Sequence, residues 1–354
     1  MRSNRGWGIT LLFLAFVLLA GGLLARFVVY PSQLRFPADV DVTRNYEGAL
    51  SVMMNPAAVA TGDLANLFIR DVPVTLSRTV ETLEVGGDDG AIVQETAAMS
   101  GPAGVIMATV DVYSIDRSSM EAITNFSDDA RVIDRDGLVI GWPIGTDKQD
   151  YVGWNGDTLE PVALAYAGEE ARGGIDTYRF EATSDPGLIV DPEILGTLPV
   201  TLPKALLADV AATIGLSDEQ AAQLAQLLQV LPDDVPIAYT YAFEKSYWVE
   251  PATGVLVDVD VSETRAAAIQ VPDGTIVPLT EIQQLDYTST ATSVQEAIDD
   301  ANGAMFGIRL LGQLIPGVAI LLGVVVAWFG FRLFRRPEEV AFDVPARERE
   351  SLSV

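Results

Sequence analysis

The run from Leu310 to Phe331, LLGQLIPGVAILLGVVVAWFGF, holds 22 residues without a charge. As an α-helix it would reach about 33 Å, enough to cross a hydrocarbon core of about 30 Å. Arg332, Arg335 and Arg336 follow at once, and such a basic cluster is normally retained in the cytoplasm. The sequence therefore predicts a transmembrane helix over residues 310–331 and a cytoplasmic, disordered tail over residues 332–354.

A second apolar run lies near the start of the chain, from Trp7 to Ala25, after Arg2 and Arg5. It is either a cleaved signal peptide or a retained signal anchor. Because it is longer than a signal-peptide core of about 7 to 15 residues, a retained helix over residues 7–29 is favoured, behind a cytoplasmic segment 1–6. We therefore expect a two-pass plasma-membrane protein with both chain ends in the cytoplasm and its main domain outside.

Acidic residues are concentrated between the two runs. Residues 31–303 hold 44 of the 49 acidic and 13 of the 22 basic residues, which gives a net charge of −31. Nucleic acid is excluded as a partner because its phosphates require a Lys/Arg footprint. The chain also has no Cys and no His, which removes thiolate catalysis, His-dependent triads and the commonest metal ligands. No metal or cofactor is predicted, and a non-enzymatic role is favoured.

The segment 30–303 is rich in β-branched and aromatic residues. The segments predicted as strands are Val72 to Val85, Ala103 to Ile115, Val162 to Tyr166, Ile175 to Ala182, Ile237 to Val249 and Gly254 to Val261. Turn signals such as Asp136-Gly137 and Asn155-Gly156 separate them. The pattern predicts an α+β membrane protein whose large, mainly antiparallel, barrel-like ectodomain is flanked by two transmembrane helices.

Valine and aspartate alternate along one of these strands. Val257 and Val259 share one face, and Asp258 and Asp260 share the other. The acidic pair is either a cation site or, as the favoured interpretation, the solvated face of a half-buried strand.

Helical segments interrupt the β pattern. A helical hairpin is predicted over residues 203–231, and its second helix carries an apolar stripe of Leu224, Leu227 and Leu228. The hairpin either packs on the core or forms a mobile lid whose leucines meet acyl chains. A further helix, residues 293–309, leads towards the second span.

Small residues four positions apart permit close contact between membrane helices. Gly21 with Ala25, and Gly303 with Gly307, have this spacing. These four residues are the candidate positions of helix–helix contact.

The most informative patch is aromatic. Trp142, Tyr151 and Trp154 lie within WPIGTDKQDYVGWNGDT, and Trp248 lies further along. These residues either form a sugar-stacking or lipid-lined mouth or close the core of the barrel. They are the candidate ligand-binding residues, together with the leucines of the hairpin.

Three motifs in this order carry a family resemblance: WPIGTDKQDYVGWNGDT (142–158), IDTYRFEA (175–182) and SYWVEPATGVLVDV (246–259). With the two terminal spans, the chain resembles the actinobacterial PorA-like family. The resemblance implies a two-span envelope protein, with family members linked to maturation or transport of lipoglycans such as lipomannan. It provides no catalytic residues. The plan is also similar to class B scavenger receptors, which pass lipid through an ectodomain tunnel.

Three functions remain open. The favoured one is a non-enzymatic protein that binds or conveys lipid or lipoglycan at the outer face of the plasma membrane. The alternatives are an accessory scaffold for envelope glycosyltransferases or an exporter, whose partners are other envelope membrane proteins, and a carboxylate-dependent glycan enzyme. Porin activity is expected to be absent, because both spans are apolar helices and the β segments are too acidic to face lipid.

Overall fold

The computed structural model describes residues 4–32, 34–87, 89–127, 129, 131–213, 218–271 and 274–335. The chain divides into two compact units. The helical unit consists of Met1–Leu34 and Phe306–Val354, and the β unit consists of Arg35–Met305. The predicted tail from residue 336 onward and residues 214–217 of the predicted helical hairpin lie outside the described residues.

The elements are as follows. The helices are α1 (Asn4–Leu24), α2 (Tyr30–Ser32), α3 (Pro56–Thr61), α4 (Pro192–Leu195), α5 (Lys204–Thr213), α6 (Asp218–Val230), α7 (Ala291–Arg309) and α8 (Ile315–Phe334), with a 3₁₀ turn at Leu64–Asn66 and π-helical turns at Ala25–Val29 and Leu310–Leu314. The strands are β1 (Asp41–Met54), β2 (Phe68–Val85), β3 (Gly90–Gly101), β4 (Gly104–Asp116), β5 (Tyr151–Asn155), β6 (Glu160–Arg172), β7 (Ile175–Leu188), β8 (Thr201–Pro203), β9 (Asp234–Glu250), β10 (Val255–Gln270) and β11 (Ile276–Ser289).

Two helical stretches are long and apolar enough to cross a membrane, Gly6–Ser32 and Ala291–Phe334. Each contains a π-helical turn just before a proline, Pro31 or Pro316. A proline has no N–H, and its ring clashes with the carbonyl four residues earlier. A π turn is wider than an α-helical turn and moves that carbonyl away from the proline ring. This explains why each π turn lies just before a proline.

The two long helices of the helical unit pack through glycines. A Cβ added at Gly22 would lie 2.9 Å from Ile320 Cγ1, and one at Gly323 would lie 2.8 Å from Leu19 Cγ. Gly8 and Gly330 make a similar close approach, in which a Cβ at Gly330 would lie 3.2 Å from the Gly8 carbonyl oxygen. Small residues therefore allow α1 and α8 to come close, as is usual for membrane helices.

Three of the four residues predicted for helix contact do not lie in the contact between α1 and α8. A Cβ added at Gly21, Gly303 or Gly307 would meet nothing within 4 Å, whereas Ala25 begins a π turn and is half-buried. Spacing alone does not define which face of a helix meets its neighbour. Gly21 and Gly22 point about 100° apart around the helix, and Gly22 is the one that meets α8.

Replacing Gly323 with leucine is expected to separate α1 from α8, because the new side chain would occupy the place of Leu19. A cysteine pair at Leu11 and Gly330 would report the separation, since the chain has no other cysteine. Their Cβ atoms would lie 3.1 Å apart, a few tenths of an ångström less than the roughly 3.5–4.5 Å of a disulfide, so a small outward shift of the helices is enough to form the bond. We expect the yield of oxidised pair in detergent to fall.

Gly317→Leu in the same cysteine background is the matched control. Gly317 is on α8 too, and a Cβ there meets nothing within 4 Å. Equal disulfide yields in the two leucine variants would show that close contact at Gly323 does not hold the helices together.

The β unit is built on one antiparallel sheet in the order β4-β3-β2-β1-β11-β10-β9-β7-β6-β5, with β8 paired to β9. Isolated bridges continue from the β4 edge to the β5 edge, through Ile115 with Ala122, Glu121 with Leu138, and Leu138 with Gly153. The sheet therefore curls on itself. This confirms the predicted α+β class with a barrel-like antiparallel sheet and apolar terminal helices.

The main core lies on the inner face of this sheet. Phe180, Ile115 and Ile269 are completely buried within it. Leu207 of α5 and Leu224 of α6 are buried in the same core. The helices at 203–231 thus pack on the core, which is the first of the two interpretations given for the hairpin.

Candidate functional site

A cavity of about 370 Å³ lies against β1, β2 and β10 in the β unit. Most of its wall is apolar: Phe36, Pro37, Val40, Val42, Val80, Met120, Ile140, Trp142, Ile144, Val255, Leu256, Val257, Val259 and Ala304. The polar part of the wall comprises Arg44, Tyr46, Arg78, Thr253, Ser289, Ser293 and Asp300. The volume falls within the range of roughly 300–1,000 Å³ that is usual for ligand pockets.

Strand alternation explains which side chains reach the cavity. Val42, Arg44 and Tyr46 are alternate residues of β1 and therefore share one face. β2 runs antiparallel, with Val80 opposite Val42 and Arg78 opposite Arg44. The other face of β1 is more polar, and there the hydroxyls of Thr43 and Thr79 lie 2.8 Å apart.

The predicted valine face of β10 supplies another wall. Val257 and Val259 are buried and line the cavity. On the opposite face, Asp258 Oδ2 lies 3.8 Å from Arg172 Nε, and burial raises the pKa of the Asp258 carboxyl. Asp260 is exposed. Asp260 thus lies on a solvated face, as the favoured interpretation has it, whereas Asp258 is ion-paired and its side chain is only 14% exposed.

Two arginines of the cavity wall are each paired with a carboxylate. Arg44 Nη2 lies 2.5 Å from Asp300 Oδ2 on α7. Arg78 Nη2 donates to Glu95 Oε2 on β3 at 2.7 Å and to the Ile140 carbonyl at 3.3 Å. The Arg78–Glu95 pair is less accessible than the Arg44–Asp300 pair. The side chains of Arg78 and Glu95 are 25% and 18% exposed, whereas that of Asp300 is 55% exposed.

Burial and neighbouring charges shift the pKa values of Arg78 and Tyr46. Burial alone would lower the pKa of the Arg78 guanidinium, but the charge and hydrogen bond of Glu95 outweigh it, so the pKa is raised. Burial raises the pKa of the Tyr46 hydroxyl despite the opposing charge of Arg78. At neutral pH the wall therefore presents the cationic guanidinium of Arg78 beside the neutral phenol of Tyr46.

Trp142 is the predicted ligand-binding residue that does line the cavity. It is buried, with its ring stacked at 5.5 Å from Phe180 and tilted at 5.1 Å from Tyr247. No hydrogen-bond partner of its Nε1 is found among the described residues. One side of this ring therefore completes the core, and the residue also contributes to the cavity wall.

The other predicted aromatics lie elsewhere, so the structure does not bring the four together into one aromatic mouth. The Tyr151 ring packs edge-on against Phe180, and its hydroxyl accepts from Asp147 N–H at 2.9 Å. Trp154 lies under the guanidinium of Arg135, 5.7 Å from its ring centroid. Trp142, Tyr151 and Trp154 are close in sequence, but their side chains contact different residues of the β unit. Closeness in sequence therefore does not place them on one cavity.

Trp248 forms part of a separate polar cluster. Its Nε1 donates to Glu170 Oε2 at 3.0 Å, and the Arg172 guanidinium lies 3.8 Å from its ring centroid. The hydrogen bond from Trp248 is the main cause of the lowered pKa of Glu170. Trp248 therefore joins β9 to β6 instead of contacting the cavity.

The leucines of α6 are also distant from the large cavity. Leu224 lines a second, apolar cavity of about 50 Å³ together with Leu206 and Leu207 of α5. Leu227 and Leu228 are half-buried against the main core. None of these three α6 leucines, all within the described residues, lines the larger cavity, so the structure does not bring them together with Trp142.

Comparison with known proteins decides the family. The sequence profile of the family described as Porin PorA matches residues 7–332, which is nearly the whole chain. The chain belongs to the Porin PorA family. The predicted PorA-like resemblance is thereby confirmed, and the two long apolar helices fit an envelope membrane protein of this family.

One curated relative is named Porin PorA and comes from Corynebacterium resistens. It is 23% identical over 192 residues, which cover 44% of this chain and 46% of the relative. The chain therefore spans less than half the length of that relative. The porin name of the family and of this relative weighs only slightly against the expectation that porin activity is absent.

Among solved structures, the chain is similar to a conserved hypothetical protein of Mycobacterium tuberculosis described as having a double hotdog fold. The two are 11% identical, and the match covers 76% of this chain and 80% of the other. The TM-score is 0.14, so the match establishes no shared fold.

Proposed function

We propose that the protein binds lipid, or a lipid-linked glycan, in the large cavity of the β unit and conveys it at the outer face of the plasma membrane. The observation that supports this is the cavity of about 370 Å³ with a largely apolar wall. An apolar wall favours hydrocarbon, because burial of hydrocarbon away from water stabilises a complex by roughly 25 cal/mol per Å². A polar ligand of the same size would lose hydrogen bonds to water.

The orientation follows from the charges around the second long helix. Arg332 and Arg335 follow its apolar part, and basic residues at the end of a span favour the cytoplasmic side. The β unit, which precedes that helix, would then lie outside. Maturation or transport of lipoglycan is the process in which such a lipid-binding unit would act.

Val42→Trp tests the cavity. Val42 faces it from β1, so an indole there would fill space that the ligand needs. Lipid that co-purifies with the full chain in detergent, measured by mass spectrometry, is expected to fall to background. Thr43→Trp is the matched control, since Thr43 is the next residue and lies on the exposed, opposite face.

Two results would count against lipid binding. The first is a wild-type protein that carries no lipid. The second is a Val42→Trp variant that carries as much as the Thr43→Trp control.

A pore is the second candidate, and the porin name of the family and of its Corynebacterium relative favours it. A transmembrane barrel needs a continuous apolar outer band. The outer face of β1 instead carries Asp41, Thr43, Asn45 and Glu47. Stepwise conductance of the purified chain in planar bilayers, abolished by Val42→Trp and not by Thr43→Trp, would support the pore.

Contact with other envelope membrane proteins stays a prediction. Gly303 and Gly307 have open space around them within the described chain. Recovery of a stoichiometric partner from detergent extracts, lost when both are replaced by leucine, is the corresponding test.

A further inference from the structure

Two like charges face each other across neighbouring strands in the cavity wall. Arg44 of β1 is directly opposite Arg78 of β2, and both line the cavity. The Cβ atoms of such a pair lie about 4.5–5.5 Å apart, and like charges in this position destabilise a sheet. Only 13 of the 22 basic residues lie in segment 31–303, against 44 acidic ones. Two of them opposite each other on an inner face therefore require an explanation.

The carboxylates that compensate the two arginines come from different elements. Glu95 lies on β3, the strand next to β2, and its side chain pairs with Arg78. Asp300 lies on α7, and its side chain is more than half exposed. An ion pair with an exposed partner contributes little stability and exchanges readily. Arg44 is thus the guanidinium that can change partner when a ligand enters.

We infer that the cavity takes a lipid whose headgroup carries a phosphate, bound by Arg44 with Arg78 beside it. This rests on the proposed lipid-binding function and adds the class of ligand. Planar guanidinium groups bind phosphate oxygens through paired hydrogen bonds. A phosphate between the two arginines would also relieve their repulsion. The acyl part would lie among Val42, Val80 and Val257, on the same wall.

Asp300 lies beside Arg44 at the position that the phosphate would take. Its carboxylate and a phosphate would compete for Arg44, so ligand entry would displace Asp300. The acidic exterior repels anions in solution, and each guanidinium is already compensated by a carboxylate, so charge alone would not draw a free anion into the cavity. The site therefore selects an anion that is delivered together with a hydrocarbon chain.

The test compares two probes with the same acyl chain, palmitoyl lysophosphatidic acid and monopalmitoylglycerol, binding to the full chain in detergent. Quenching of tryptophan fluorescence reports binding, since Trp142 lines the cavity. We expect the phosphate probe to bind at least about tenfold more tightly, as a charge-assisted hydrogen bond permits. Arg44→Met should remove most of this preference. Asp300→Asn should increase the affinity for the phosphate probe, whereas a purely structural ion pair would give no gain.

Arg131→Met is the control, because Arg131 is an exposed arginine that pairs with Asp129 and does not line the cavity. Equal affinities for the two probes, unchanged in Arg44→Met, would overturn the phosphate assignment and leave lipid binding intact. Failure of both probes to bind would contradict lipid binding itself. Competition by glycerol 3-phosphate as strong as that by the lipid would identify a soluble phosphate as the ligand and overturn the lipid headgroup.

Discussion

Asp157→Ala is expected to lower the free energy of unfolding by about 3–5 kcal/mol, because it leaves a buried guanidinium without its counter-charge. Asp157 accepts from Arg265 through both oxygens, from Nε at 2.6 Å and from Nη2 at 3.0 Å. The two side chains are only 11% and 13% exposed. Arg265 is further held by Gln283, whose Oε1 accepts from Nη1 at 3.1 Å.

The negative charge of Asp157 offsets the cost of burying the Arg265 guanidinium. Burial alone would lower the pKa of the Arg265 guanidinium, but the hydrogen bonds and charge of Asp157 raise it. Asp157 also holds the chain through its carbonyl, which accepts from Val190 N–H at 2.9 Å and Asp191 N–H at 3.2 Å. Loss of the carboxylate would leave these backbone hydrogen bonds in place and would break the link between the β5–β6 turn and Arg265 of β10.

Urea unfolding of the full chain in detergent, followed by tryptophan fluorescence, measures this change. The double variant Asp157→Leu with Arg265→Met should recover much of the loss, since apolar replacement of a complete buried pair is often nearly neutral. Asp129→Ala, which breaks the exposed pair with Arg131, should leave the unfolding midpoint unchanged. A midpoint for Asp157→Ala equal to that of Asp129→Ala would show that the buried pair does not stabilise the β unit.

Hydropathy and strand propensity predict a large part of this architecture. The uncharged run at residues 310–331 lies within the described helical stretch Ala291–Phe334. Predicted strands such as Val72 to Val85 lie within longer observed ones such as Phe68–Val85. β1 was not predicted, because Asp41, Arg44 and Glu47 interrupt its apolar residues. Its alternation becomes clear only when partner strands show which face is inside.

The candidate site illustrates the same limit. Trp142 could be singled out from composition, since aromatic residues are conspicuous in a sequence. Arg44 and Arg78 could not, because their significance depends on strand register, and they are 34 positions apart along the chain. One signal was present: in β1, Arg44 alternates with Val42 and Tyr46. An arginine at an inward position of a strand indicates either a buried ion pair or a ligand.

Gly254→Ala is expected to destabilise the β unit by about 2–5 kcal/mol and to displace Trp142 from the cavity wall. Gly254 has φ of +72°, where an L side chain is strained by about 1–2 kcal/mol. A Cβ there would also lie 2.4 Å from the Trp142 carbonyl oxygen and 2.7 Å from that of Pro143. Overpacking of this kind costs about 1–3 kcal/mol more. These backbone atoms cannot rotate away as a side chain could.

The contact at Gly254 joins two of the family motifs, WPIGT and EPATG. The Thr146 N–H donates to the Pro251 carbonyl at 2.8 Å, and the Gly254 N–H donates to the Glu250 carbonyl at 2.9 Å. Since Gly254 and Trp142 both line the cavity, a shift of either segment changes its wall.

Lipid content of purified Gly254→Ala should therefore fall together with the urea midpoint. Gly156→Ala is the matched control, because a Cβ there meets nothing within 4 Å. If both alanine variants unfold at the same urea concentration and retain the same lipid, the close approach at Gly254 neither stabilises the β unit nor positions Trp142.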